Sequence, residues 1–136
     1  MELSTYLNFN GQCAEAFKVY EGLLGGRIVM MQTHGDSPMR DHVPADWQDK
    51  VLHARLELGQ QALMGSDAPL DRYSAPQGIY VSISIGDVSQ ARRIFSGLAE
   101  GGRVEMPFEK TFWAAGFGML VDRFGVPWMV NCEQPS

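Results

Sequence analysis

Two stretches of this chain, 13–26 (CAEAFKVYEGLLGG) and 88–102 (VSQARRIFSGLAEGG), are versions of one phrase. At a constant offset of 75, Ala16 matches Ala91, Val19 matches Ile94, Tyr20 matches Phe95, Gly22 matches Gly97 and Leu23 matches Leu98. A repeat of this size predicts two copies of one supersecondary unit, neither able to bury its apolar face alone. Two such half-sheets facing each other enclose a cleft, and function is expected there.

Each copy reads as an amphipathic helix. Cys13, Ala16, Phe17, Tyr20, Leu23 and Leu24 fall on one stripe, as do Val88, Ala91, Phe95, Leu98 and Ala99. Asp87 suits an N-cap, and Gly25-Gly26 and Gly101-Gly102 stop the helices by allowing left-handed backbone. Strands are predicted at 3–9, 27–33, 51–58 and 61–65 around the first helix, and at 79–85, 103–108, 117–122 and 127–132 around the second. Each half is therefore βαβββ. The boundaries expected are 1–68 for the first module and 77–136 for the second, together one domain. The class is α+β, a curved mixed sheet around a central cleft. The segment 34–49 is the one long irregular connection, a lid, a partner contact or a solvated excursion. Within it Met39, Val43 and Trp47 are expected as exposed apolar groups suited to an interface.

Strand alternation assigns faces. Ile79, Val81, Ile83 and Ile85 oppose Tyr80, Ser82 and Ser84; Leu52, Ala54, Leu56 and Leu58 oppose His53, Arg55 and Glu57. Leu7 and Phe9 oppose Tyr6 and Asn8, and Trp128, Val130 and Cys132 oppose Met129 and Asn131. The apolar faces must carry the helices. The polar faces then point away from them, a binding surface or a plain solvent or dimer face.

A net charge of −5 and the lack of a basic stripe argue against nucleic acid. No apolar run is long enough to span a bilayer, and the first residues lack signal-peptide regions, so no membrane partner and a cytoplasmic location are expected. Cys13 and Cys132 fit no metal or redox spacing and read as buried thiols.

The segments YLNFNGQCAEAF (6–17), His53-Ala54, LMGSD (63–67), TFWAAGFG (111–118) and DRFGVPWMVN (122–131) resemble the PhnB-like branch of the glyoxalase/bleomycin-resistance, or vicinal oxygen chelate, superfamily. The likeness runs nearly end to end, with 34–49 unmatched. It implies paired βαβββ modules and a homodimer, sometimes with exchanged modules. It also brings a 3-demethylubiquinone methyltransferase label, against which the sequence argues: the only comparable glycine turn, Asn10-Gly11-Gln12, lies in a β-rich module rather than a parallel α/β sheet.

The superfamily's usual divalent ion implies ligands near Thr5 or Tyr6, near Leu63–Gly65, at Tyr80 and at Met129, where this chain has no His, Asp or Glu. His53, Glu57 and Asp67 do not match those positions, and His53 and Glu57 stand roughly 13 Å apart along one strand. No metal and no cofactor are therefore expected. His53 is the best catalytic candidate, as general base or hydrogen-bond donor, or it bonds a neighbouring strand. The ligand-binding candidates are Tyr6, Asn8, His53, Arg55, Glu57, Tyr80, Trp113, Phe117 and Met129. Asp67, Asp122 and Asn131 read as capping, turn and strand-end residues. Three functions fit: a metal-independent small-molecule binding protein, a lyase or isomerase with His53 as base, or a protein whose dimer interface is the working surface.

Overall fold

The computed structural model describes residues 1–69 and 71–133; Leu70, between the two expected modules, and the last three residues of the second module lie outside them. The chain divides into two compact units, Met1–Ser74 and Ala75–Ser136. The first holds β1 (Thr5–Phe9), α1 (Cys13–Leu24), β2 (Arg27–Thr33), β3 (Val51–Leu58) and β4 (Gln61–Asp67). The second holds β5 (Val81–Ile85), α2 (Val88–Ala99), β6 (Arg103–Glu109), β7 (Ala114–Val121) and β8 (Pro127–Glu133). Each module has its own four-stranded mixed sheet, ordered β1-β4-β3-β2 and β5-β8-β7-β6. In each the first strand pairs parallel with the last and the other pairs are antiparallel. The α+β class and the two βαβββ modules are as the repeat predicts.

One helix covers one face of each sheet. Cys13, Ala16, Phe17 and Tyr20 of α1 are buried with Leu7, Phe9, Ala54 and Leu56. Ala91, Ile94, Phe95 and Leu98 of α2 are buried with Leu120, Trp128, Val130 and Cys132. Each large apolar side chain taken from water contributes about 1.5–3 kcal/mol. The two helices start differently. Asp87 caps α2 locally, accepting from the N–H groups of Ser89 (2.8 Å) and Gln90 (3.1 Å). Gln12 gives α1 no side-chain cap. Asp67, at the end of β4, accepts instead from the N–H groups of Cys13 and Val51, both at 2.9 Å.

The glycine pairs divide their labour. Gly25 (φ +78°) is the left-handed cap that ends α1, whereas α2 ends at Glu100 in extended backbone and Gly101 (φ +74°) carries the turn that follows, closed by the Gly102 N–H on the Ala99 carbonyl. A Cβ on Gly26 would meet the Glu57 carbonyl oxygen at 2.6 Å, and one on Gly102 the Val121 carbonyl oxygen at 2.3 Å. The second glycine thus lets β2 and β6 start hard against the neighbouring strand. On β7, Gly116 and Gly118 leave room for the rings of Phe108 and Phe95, which would stand 2.3 and 2.6 Å from an added Cβ.

Three expectations need correction. The alternation in β3 slips: Val51 is buried and Leu52 only half-buried, because the register against β2 shifts between His53 and Val51. The expected strand starts at residues 3 and 79 are too early; β1 and β5 begin two residues later, and Leu3 and Ile79 are exposed. The 34–49 connection is no plain solvated excursion. It contains 3-10 turns at Arg40–His42 and Ala45–Trp47, and Trp47 is buried rather than available to an interface. Its indole lies near Gly11, against the β1–α1 turn, where its apolar surface is removed from water. His34 is buried as well, with both ring nitrogens lacking a protein partner.

Candidate functional site

Residues paired across strands share a sheet face, so the register fixes which side chains meet on the face away from each helix. In the first module one row runs Tyr6–Met64–Arg55–Met30. The next carries Asn8 paired with Ser66, and His53 paired with Gln32. Tyr6 reaches diagonally to His53: its hydroxyl lies 3.1 Å from Nδ1, and the rings stack with centroids 5.7 Å apart. Ser66 Oγ donates to Asn8 Oδ1 at 3.3 Å.

Arg55 is fully engaged. Its Nε donates to Glu57 (3.0 Å), its Nη2 to Glu2 (3.1 Å), and its Nη1 to the Met64 sulfur (3.5 Å). The Glu57 bond, then the Glu2 bond, holds the guanidinium above its ordinary range, and the Arg55 hydrogen bond holds the Glu2 carboxyl below its own. With two carboxylates on one guanidinium, the trio carries net negative charge and offers little to an anionic ligand.

In the second module the matching row is Ser82–Met129–Met119–Met106, and the next is Ser84–Asn131–Phe117–Glu109. Trp113 packs edge-on against Phe117 at 5.6 Å, and Phe112 against Trp113 at 4.8 Å. A turn presents these rings: the Thr111 N–H donates to the Ala114 carbonyl, and the Ala114 N–H to the Thr111 hydroxyl. Tyr80 donates to Glu105 at 3.0 Å, and that bond pushes the phenol's pKa up.

Among the sequence-predicted residues, Tyr6 meets His53, Arg55 meets Glu57, and Trp113 meets Phe117. Asn8 turns to Ser66, Tyr80 to Glu105, and Met129 lies in the methionine row. Sequence reasoning missed Glu2, Glu105, Glu109 and the methionines Met30, Met64, Met106 and Met119; strand pairing alone reveals the last four.

The divalent-ion positions implied by the resemblance carry Tyr6, Met64, Tyr80 and Met129, none of them a carboxylate or imidazole. His53, Glu57 and Asp67 are turned to Tyr6, to Arg55 and to backbone N–H groups. Among the described residues no three His, Cys, Asp or Glu side chains are grouped to hold a metal. The residues present do not fit that ion. Cys13 is a buried free thiol, its pKa pushed far up by burial and then by the nearby Asp67. A groove of about 610 Å³ lies elsewhere, in the 34–49 connection, lined by Thr33, Asp36, Arg40, Gln48 and Asp49 among others. No helix among the described residues is long and apolar enough to cross a membrane.

Paired βαβββ modules, each with one helix-covered and one helix-free face, give the glyoxalase-like fold. The chain belongs to the PhnB-like family described as 3-demethylubiquinone-9 3-methyltransferase, which matches residues 1–131. It is 33% identical to Protein YjdN of Escherichia coli K12 over 146 residues, covering 100% of this chain and 99% of that one. The crystal structure of protein PA1353 from Pseudomonas aeruginosa is 50% identical, with a TM-score of 0.90 and 99% of each chain covered. The fosfomycin resistance protein FosX from Mesorhizobium loti shares the fold, with a TM-score of 0.64 at 9% identity over 98% of this chain and 92% of that one.

Proposed function

We propose that this protein binds a small, neutral, oxygen-bearing molecule on the helix-free face of its first module, without a catalytic metal. The Tyr6–His53 pair carries the reading. A phenol hydroxyl is a far better donor than acceptor, so Tyr6 donates to Nδ1 and the proton of the neutral ring sits on Nε2. His53 then offers an N–H to a carbonyl or hydroxyl oxygen, with the Asn8 amide nearby on the same face. Arg55, already held by two carboxylates, favours a neutral ligand over an anion.

The lyase or isomerase reading needs the opposite tautomer, with a free Nε2 lone pair as general base. Methyl transfer finds less support: the side chains of Trp47 and Lys50 lie against the Gly11 turn, and the start of α1 already holds the Asp67 carboxylate. The superfamily resemblance supports a homodimer, which sedimentation of the purified chain tests.

Two measurements decide the matter. Nitrogen-15 NMR of the His53 ring should show Nδ1 unprotonated and Nε2 protonated at pH 8. The reverse would favour the base. A thermal-shift screen of neutral oxygenated metabolites and divalent metals should give metabolite shifts that vanish in His53→Ala and weaken in Tyr6→Phe. Ligand at a hundred times its Kd adds about 2.7 kcal/mol. Stabilisation by Zn²⁺ or Ni²⁺ alone, lost in His53→Ala, would overturn the metal-independent reading.

A further inference from the structure

We propose that the helix-free face of the second module holds a flat organic cation, its plane against Trp113 and Phe117 and its charge at Glu109. The proposal concerns a second site and goes beyond the first-module binding reading. Three rings, Phe112, Trp113 and Phe117, form a continuous edge-to-face ladder with centroid spacings of 4.8 and 5.6 Å. Phe112 is 91% and Trp113 50% exposed, a costly way to carry aromatic surface unless something covers it.

The module's other ring contacts indicate what that cover is. On the opposite face, the Arg92 guanidinium lies 5.2 Å from the centre of Phe108. At the β7–β8 turn, Arg123 lies 4.4 Å from the centre of Phe124. Among the described residues no cation lies over the Phe112–Trp113–Phe117 ladder, and its π faces attract one. Beside it Glu109 pairs in register with Phe117 and so projects on the same face. Among the described residues Glu109 makes no ion pair, whereas Glu105 at the other end of β6 is taken by Tyr80 and Arg103. Met106, Met119 and Met129 continue the surface as a row of polarisable, adaptable side chains. Rings for the plane, thioethers for its edge and one uncommitted carboxylate for its charge describe a flat monocation better than a neutral arene or an anion.

A matched pair of probes tests this: N-methylacridinium, a permanent cation, and acridine, neutral at pH 8, each titrated into the full chain. Binding is read by quenching of Trp113 and by equilibrium dialysis; the other tryptophans, Trp47 and Trp128, are buried. The cation should bind about tenfold more tightly than acridine, as expected for an exposed cation–π contact plus an exposed charge pair. Glu109→Gln should cut the preference to about threefold, the part a cation–π contact alone supports, while keeping arene binding; Trp113→Ala should lose both, and Glu100→Gln, exposed after α2, should change neither. Equal affinities, or a preference of about tenfold undiminished in Glu109→Gln, would overturn the assignment. So would failure of both probes to bind, even if neutral metabolites still stabilise the chain through His53; that pattern sinks this inference and leaves the binding reading standing. A change in sedimentation on Trp113→Ala would show that a second copy covers the ladder, and would likewise overturn it.

Discussion

Asp122 is buried at the β7–β8 turn, and removing its carboxylate should be among the most damaging single changes in the second module. One oxygen accepts from the N–H groups of Phe124 (2.9 Å) and Val126 (3.0 Å); the other accepts from the indole N–H of Trp128 (2.9 Å), itself fully buried. Asp122→Ala strands at least these three donors. Each stranded buried donor costs about 1–3 kcal/mol, so the loss should reach about 4–6 kcal/mol. Against a total of about 5–15 kcal/mol that is severe, and Tm should fall by about 15 °C or more. Asp122→Asn keeps an oxygen for the two backbone donors but turns an NH₂ toward the indole N–H, and should lose about 1.5–3 kcal/mol. Trp128→Phe removes the indole donor, so the cost of the missing bond should disappear when the two changes are combined. Urea unfolding followed by circular dichroism gives the four stabilities of this double-mutant cycle, with an expected coupling of about 1.5–3 kcal/mol. If Asp122→Ala stayed within about 1 kcal/mol of wild type at unchanged m, or Trp128→Phe cost the same in both backgrounds, the reasoning would fail.

Other expectations follow from the same geometry. Gly22 has nothing within 4 Å of an added Cβ, so Gly22→Ala in α1 should stabilise by about 0.5–1 kcal/mol, whereas Gly102→Ala should cost at least ~2 kcal/mol; thermal melts separate them. His34→Leu replaces two unpartnered buried nitrogens and should raise stability by about 1 kcal/mol; a lower urea midpoint would refute that. Because the Glu105 bond raises the Tyr80 pKa, its contribution to stability is present below the ordinary phenol range and is lost as pH rises through the folded value. An ultraviolet titration should therefore show a late tyrosinate step that Tyr80→Phe removes.

Much of the fold was legible because its determinants are local. The stripes of α1 and α2, the Asp87 cap and the glycine stops each lie within a few residues of what they control. Less was legible where partners are distant. Asp67 reads as a capping residue, but nothing in the sequence says that it caps a helix starting 54 positions earlier. The slip at Val51 depends on β2, which alternation within β3 cannot see. On the candidate faces, His53 and Tyr6 were both named, yet their hydrogen bond appears only once β1 lies beside β4 and β4 beside β3. Arg55 read as a ligand-holding charge because Glu2 precedes the first strand and gave no periodic signal. The methionine rows escaped notice because thioethers on a mixed face look like neither core nor catalyst.

The unequal starts of the two helices bear on the order in which the chain acquires structure. The amide protons that open α2 find their acceptor one residue before the helix, so that end can form as soon as the segment collapses. The Cys13 amide proton that opens α1 waits for a carboxylate on the last strand of its module, which arrives only after a loop of 54 residues has closed. Two versions of one phrase in the sequence thus carry different clocks. Pulse-labelled hydrogen exchange during refolding should find the Ser89 and Gln90 amides protected before that of Cys13.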